Sequence, residues 1–159
     1  MSERTPSTTL TAKSLFPALL PIGTLLLALG ISPAVRSQDA ADRPSGVKIE
    51  LNKLEASDNA CRAYLLFENR SASSFESLKL DLVLFDGEGV VAKRLAVEGA
   101  PLPREKTSLK VFEIARLPCE RISRMLLNKL TSCSDDTGAR SDCLEMVSTT
   151  TRGEVPFIK

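Results

Sequence analysis

The chain has 159 residues, with 21 Lys+Arg against 20 Asp+Glu, four Cys, no His and no Trp. This describes one modest globular domain whose balanced charge leaves no electrostatic footprint for nucleic acid or an anionic surface. The absence of imidazole removes every His-based catalytic relay and most metal sites.

From Ser14 to Val35 no charged residue occurs, and the apolar heart Leu25-Leu26-Leu27-Ala28-Leu29 lies downstream of Arg4 and Lys13. Basic, then apolar, then small residues predict a secretory signal peptide over 1–37, cut after Ser37 or, nearly as well, after Gly30. The run exceeds the roughly 20 residues that span a bilayer, so an uncleaved membrane anchor is the alternative. Pro17, Pro21 and Pro33 interrupt it and favour cleavage. Contact with a membrane is expected only if this segment is retained. Its removal takes away Arg4, Lys13, Arg36 and Glu3 and leaves the charge nearly balanced. Residues 38–46 are polar, contain Pro44 and Gly46, and read as a flexible lead-in to a domain over 47–159.

Val47-Lys48-Ile49-Glu50-Leu51 alternates apolar with polar residues and predicts a strand with one face in a core. Arg62 to Glu68, bounded by Ser57-Asp58-Asn59 and Asn69-Arg70-Ser71, predicts a second. Leu78, Leu80, Leu82 and Leu84 then occupy every second position, which no helix could place on one face. Asp86-Gly87-Glu88-Gly89 is a turn, and Val90 to Val97 returns with Val91, Leu95 and Val97 to complete a hairpin. Pro101 and Pro103 break the chain before Thr107 to Ile114, where Leu109 and Val111 alternate with Lys110 and Phe112. Ile122 to Leu130 is ambiguous, because Ile122, Leu126 and Leu130 satisfy helical as well as alternating spacing. The strands before it favour another strand. Leu144 to Thr150 supplies the last. About seven short strands predict an all-β immunoglobulin-like or fibronectin-like sandwich, with a small barrel as runner-up.

Cys61, Cys119, Cys133 and Cys143 all lie after the signal segment, and an even count in an exported chain predicts two disulfides. Three pairings are open. Topology favours Cys61 with Cys119, at strand ends that meet if the two strands are antiparallel neighbours. Cys133 with Cys143 would then staple the polar segment between them. No C-x-x-C spacing supports a redox or zinc role.

Asp135, Asp136 and Asp142 in that stapled segment are the candidate cation ligands, although they lack EF-hand spacing. Asp86 and Glu88 fit a hairpin turn better than a phosphate or calcium loop. Asp81, Asp86 and Glu88 cluster near one strand end without any sign of a shared cleft. Asn69-Arg70-Ser71 matches a glycosylation acceptor, a pattern frequent by chance. Lys93, Arg94, Arg104, Lys106 and Lys110 lack interleaved aromatics and make no nucleic-acid surface. No serine elbow or imidazole base is present.

At Cys61-Arg-Ala-Tyr-Leu, Phe75-Glu-Ser-Leu-Lys-Leu-Asp-Leu-Val-Leu-Phe-Asp86, Cys119-Glu-Arg-Ile-Ser-Arg-Met-Leu-Leu-Asn128 and Cys143-Leu, the chain resembles small alphaproteobacterial exported proteins labelled twin-arginine (Tat) signal-sequence domain proteins. The resemblance runs from about Val47 to the C-terminus. It implies a bacterial periplasmic location and brings no activity or catalytic residue. No Arg-Arg pair precedes the apolar run, which favours the general secretory route.

The expectation is a periplasmic or secreted, non-enzymatic module without a cofactor, whose partner is an envelope protein. The candidate docking edges are Val47 to Leu54 and Val90 to Val97. The alternative is a small-ligand or calcium carrier using the segment between Cys133 and Cys143.

Overall fold

A computed structural model describes residues 45–159. The expected signal segment 1–37 and the expected lead-in as far as residue 44 lie outside the described residues. Nine strands are formed among the described residues: β1 (Val47–Ser57), β2 (Ala60–Asn69), β3 (Phe75–Phe85), β4 (Val91–Glu98), β5 (Thr107–Ala115), β6 (Arg124–Asp135), β7 (Gly138–Ala139), β8 (Val147–Thr151) and β9 (Phe157–Ile158). They make two sheets rather than a closed barrel. Sheet A has the order β5-β2-β1-β8; sheet B has the order β4-β3-β6, with β7 and β9 sharing the far edge of β6.

Local chemistry accounts for the two main hairpins. Ser57 and Ala60 are register partners across Asp58-Asn59, and Asp58 takes the positive φ of 45° that so tight a connection requires. At the β3–β4 turn the Asp86 carboxylate accepts from the backbone N–H groups of Glu88 (3.2 Å) and Val90 (2.8 Å), so an acid caps the loop. The alternating leucines of β3 then face the sandwich interior. Leu78, Leu80, Leu82 and Leu84 are fully buried against Ile49 and Leu51 of β1 and Leu65 and Phe67 of β2. These side chains are the centre of one core.

The ambiguous segment is a strand, but it starts later than expected. Cys119–Arg121 forms a short 3₁₀ turn, and β6 begins at Arg124. Against β3 the register slips between Lys79 and Leu80 and again between Asp81 and Leu82, leaving Thr131 and Asn128 as extra residues. Each bulge inserts a residue that breaks the period of two. Leu127 and Leu130 are therefore registered with Leu82 and Leu80 although they are three positions apart. Of the residues whose spacing suggested a helix, Ile122 precedes β6 and Leu126 is registered with Val83, so they do not share one face with Leu130.

Two further expectations are corrected at the C-terminus. The segment from Leu144 does not start as a strand, because Cys143–Met146 is a single helical turn and β8 begins at Val147. The turn follows from the tether of Cys143, which fixes its start beside β6. The seven expected strands become nine, since β7 and β9 have two residues each, too few to show any periodicity. Phe157 nonetheless enters the core at 4% exposure.

Candidate interaction surfaces

Both disulfides are present among the described residues: Cys61 with Cys119 and Cys133 with Cys143. The first is explained by β2 and β5 being antiparallel neighbours, which brings Cys61 level with Ile114 at the end of β5. The chain leaving β5 then needs only a few residues to carry Cys119 back. The second joins the end of β6 to the helical turn that precedes β8.

Asp135 and Asp142 of the stapled segment are drawn into an internal hydrogen-bond network. Asp135 is buried, and its carboxylate accepts from the Thr137 hydroxyl (2.6 Å), the Thr137 N–H (2.8 Å) and Arg140 Nη1 (2.8 Å). Arg140 also makes a two-pronged pair with Asp142, through Nε at 2.9 Å and Nη2 at 2.6 Å. Asp136 is exposed and stands outside this network. These donors hold the Asp135 carboxyl well below the usual carboxylate range, the Thr137 hydroxyl first and Arg140 next. Of the candidate calcium ligands Asp135, Asp136 and Asp142, two thus have carboxylate oxygens engaged by one arginine. No group of three or more His, Cys, Asp or Glu able to hold a metal occurs among the described residues.

Asp81 is separated from the turn acids Asp86 and Glu88 and serves another role. It is 4% exposed. Arg94 donates to both its oxygens, at 2.6 and 2.7 Å, and Asn128 donates to Oδ2 at 2.7 Å. Arg94 and then Asn128 lower its pKa to about 2. One side chain from each of β4, β3 and β6 meets there, so the cluster locks the three strands of sheet B. Asn69 is likewise structural, at 1% exposure. Its amide nitrogen donates to the carbonyls of Ser73, Leu102 and Pro103, while its oxygen accepts from the N–H and hydroxyl of Ser71. An amide so enclosed pins two loops together and does not offer itself to a glycan.

The edge expectation holds for one strand and is corrected for the other. Val91–Glu98 pairs only with β3, so β4 is an edge. The segment Val47 to Leu54 is not, because β8 lies in parallel register along Val47 to Leu51. In sheet A the edges are β5 and β8. Edges β4 and β5 lie on the same side of the sandwich, and lysines bridge the gap between them. Lys93 Nζ donates to the Ala115 carbonyl, and Lys110 Nζ donates to the Ala100 carbonyl. Inward-turned lysines on edge strands oppose pairing with a foreign strand.

The outer face of sheet A is a different surface. Leu109 and Val111 of β5 are 54% and 46% exposed. They stand level with Leu66 and Tyr64 of β2, so four apolar or aromatic side chains form two adjacent cross-strand rows. The next row is charged. Glu55 accepts from Arg62 (3.1 Å) and the Tyr64 hydroxyl (3.0 Å) and pairs with Lys53, whose ammonium lies 5.0 Å from the Tyr64 ring centroid. Sequence reasoning missed this patch because alternation shows that Leu109 and Val111 share a face, but not which face. Phe112 packs on the core instead. Lys110 also turns inward, an orientation its long apolar stem permits.

A cleft of about 520 Å³ opens where β1 outruns β8, between Asn52 to Leu54, Cys119 to Ile122 and Thr151 to Val155. No described helix is long and apolar enough to cross a membrane.

No family model and no curated protein matches this chain. The solved structure of IrmA from Escherichia coli is similar in fold. It shares 14% identity with a TM-score of 0.51, over 65% of this chain and 90% of that one. The common feature is a two-sheet all-β sandwich.

Proposed function

We propose that this chain is an exported, non-enzymatic protein-interaction module of the bacterial envelope, built on an immunoglobulin-like or fibronectin-like sandwich. The charge-free run behind Arg4 and Lys13 supports export, and two disulfides suit an oxidising compartment. The observation that carries the reading is the outward patch of Leu109, Val111, Leu66 and Tyr64. It combines an apolar centre with a charged rim, the anatomy of a docking surface. Because the edge lysines oppose strand addition, the partner engages the sheet face.

A photo-crosslinking residue at Val111, in intact cells of the native host, tests this reading. Adducts of one defined larger mass are expected, and Val111→Asp combined with a crosslinker at Leu109 should abolish them. Recovery of monomer alone across growth conditions overturns it.

A further inference from the structure

The outer face of sheet B carries a second surface with different chemistry. Cross-strand register places Val91, Phe85 and Arg124 in one row, and Arg94, Val83, Leu126 and Ile158 in the next. Val91 is 57% and Ile158 42% exposed, at opposite margins of the sheet. The apolar strip thus crosses the whole sheet rather than ending at an edge.

Arg124 is set into this strip. Its guanidinium carbon lies 4.5 Å from the centroid of the Phe85 ring. Its Nε is buried and has no acceptor. The contrast with the other strand-held arginines is informative. Arg62 in β2 pairs with Glu55, and Arg94 in β4 pairs with Asp81. Arg124 in β6 has no ion-pair partner among the described residues. A half-buried guanidinium with an orphaned donor is costly to leave unanswered, whereas one that meets a carboxylate makes a strong planar contact.

The rest of the face agrees in sign. Lys79 and Lys129 share it with Glu98, which stands level with Lys79 and accepts from the Leu78 and Ala100 N–H groups, while Asp81 is already consumed by Arg94 and Asn128. Nearby Asp86 is spent on its turn. The surplus charge is therefore positive around an apolar strip.

The geometry points to a carboxylate-recognition site on the outer face of sheet B, centred on Arg124 and Phe85, for a protein segment presenting acidic residues among apolar ones. A second copy of this chain is disfavoured, because the same face would oppose its own charge. A protein is favoured over a lipid surface, because the key cation is a guanidinium fixed flat on a ring. Anionic lipid surfaces are gathered instead by clusters of several freely exposed Lys or Arg side chains. The site is separate from the Val111 patch, so either can fail alone.

The full-length chain is titrated with a labelled peptide of alternating Glu and Val, the matched Gln and Lys peptides, and vesicles of phosphatidylglycerol. The Glu peptide is expected to bind about tenfold more tightly than the Gln peptide, the effect of one charge-assisted pair, and the Lys peptide most weakly. Arg124→Gln removes that preference, Arg124→Lys keeps part of it, and Arg104→Gln, an equal charge loss in a distant loop, leaves it intact. If Arg124→Gln unfolds, Arg124→Lys and Leu126→Asn carry the test, each lowering affinity for the Glu peptide in a folded chain. Equal affinity for the Glu and Gln peptides, or equal loss from Arg104→Gln, overturns the proposal. So does vesicle binding that the Glu peptide does not compete away, or peptide binding that is lost as the chain dimerises.

Discussion

On the side of the sandwich where the chain ends, the C-terminal part of the chain supplies the last strand of each sheet. β8 lies parallel on β1, β9 lies parallel on β6, and Cys143 ties the start of this strap to the end of β6. On the opposite side no backbone pairing joins β4 to anything but β3, or β5 to anything but β2. Among the described residues, two lysine head groups reach across that gap. Backbone pairing and a covalent staple resist opening, whereas ammonium-to-carbonyl contacts are individually weak and exchange with water. The strap side is held by parallel pairing and the short staple, whereas the lysine side, tied at one end by Cys61–Cys119, is organised to keep other strands away.

The largest disruption should come from the long disulfide, which anchors β2 to the chain leaving β5. Cys61 and Cys119 are 58 residues apart, and loop-closure entropy assigns such a link about 4 kcal/mol. Cys61→Ser with Cys119→Ser should lower the urea denaturation free energy by roughly that amount. Removing Cys133 and Cys143, 10 residues apart, should cost about 3 kcal/mol. A reversed order would show that the strap, rather than the β2–β5 closure, limits stability.

Gly46 probes the strap without touching a cysteine. Its φ is +127°, and a Cβ there would sit 2.2 Å from the Met146 carbonyl oxygen. Gly46→Ala must push β1 and the start of β8 apart, so a loss of roughly 2–4 kcal/mol is expected in the same denaturation assay. Hydrogen exchange should show β8 opening before β4. Uniform loosening of both sides would break the comparison.

The sequence made the closure legible only in part, and the reason differs by residue. The leucines of β3 could be read because one face of that strand is buried along its whole length, which preserves the period of two. Cys61 and Cys119 could be placed because strand ends were bounded by turn residues. β6 was harder, since bulges at Asn128 and Thr131 shift its side chains in mid-strand. β8 and β9 pair in parallel with strands far away in sequence, and no turn signal marks such a partner. The interaction surfaces were the least legible. Leu109 and Val111 read as core residues on hydrophobicity alone, and whether an arginine such as Arg124 has a partner is decided only by the tertiary fold.

A smaller and pH-dependent effect is expected at the lock within sheet B. The Asp81 carboxyl has an ordinary value of 3.8 and titrates at about 2 in the folded chain. A depressed folded value means that the ionised form stabilises the fold above 3.8, and that this contribution is lost as pH falls towards 2. Asp81→Asn should therefore flatten the acid limb of stability between those values, read from denaturation midpoints across the range. Arg94 is more than half exposed, so screening keeps the effect modest and salt-sensitive. An unchanged acid limb would assign it to Asp135 on the strap side.

The smallest change in stability, and the most direct test of the open side, belongs to the bridging lysines. Lys93→Val with Lys110→Val removes two weak contacts, so the denaturation free energy should move by no more than about 0.5 kcal/mol. Association should change far more. Without inward charge, β4 and β5 present unpaired backbone beside the already exposed Val91, Leu109 and Val111. Sedimentation across a concentration series should show the parent chain at constant size and the double variant growing with concentration. Leu109→Ser with Val111→Ser, added to that variant, separates the two sources of attraction. If growth persists, the bare edges drive it and the lysines are their guard; if it vanishes, the outer face of sheet A is the adhesive surface and the lysines only keep the edges closed.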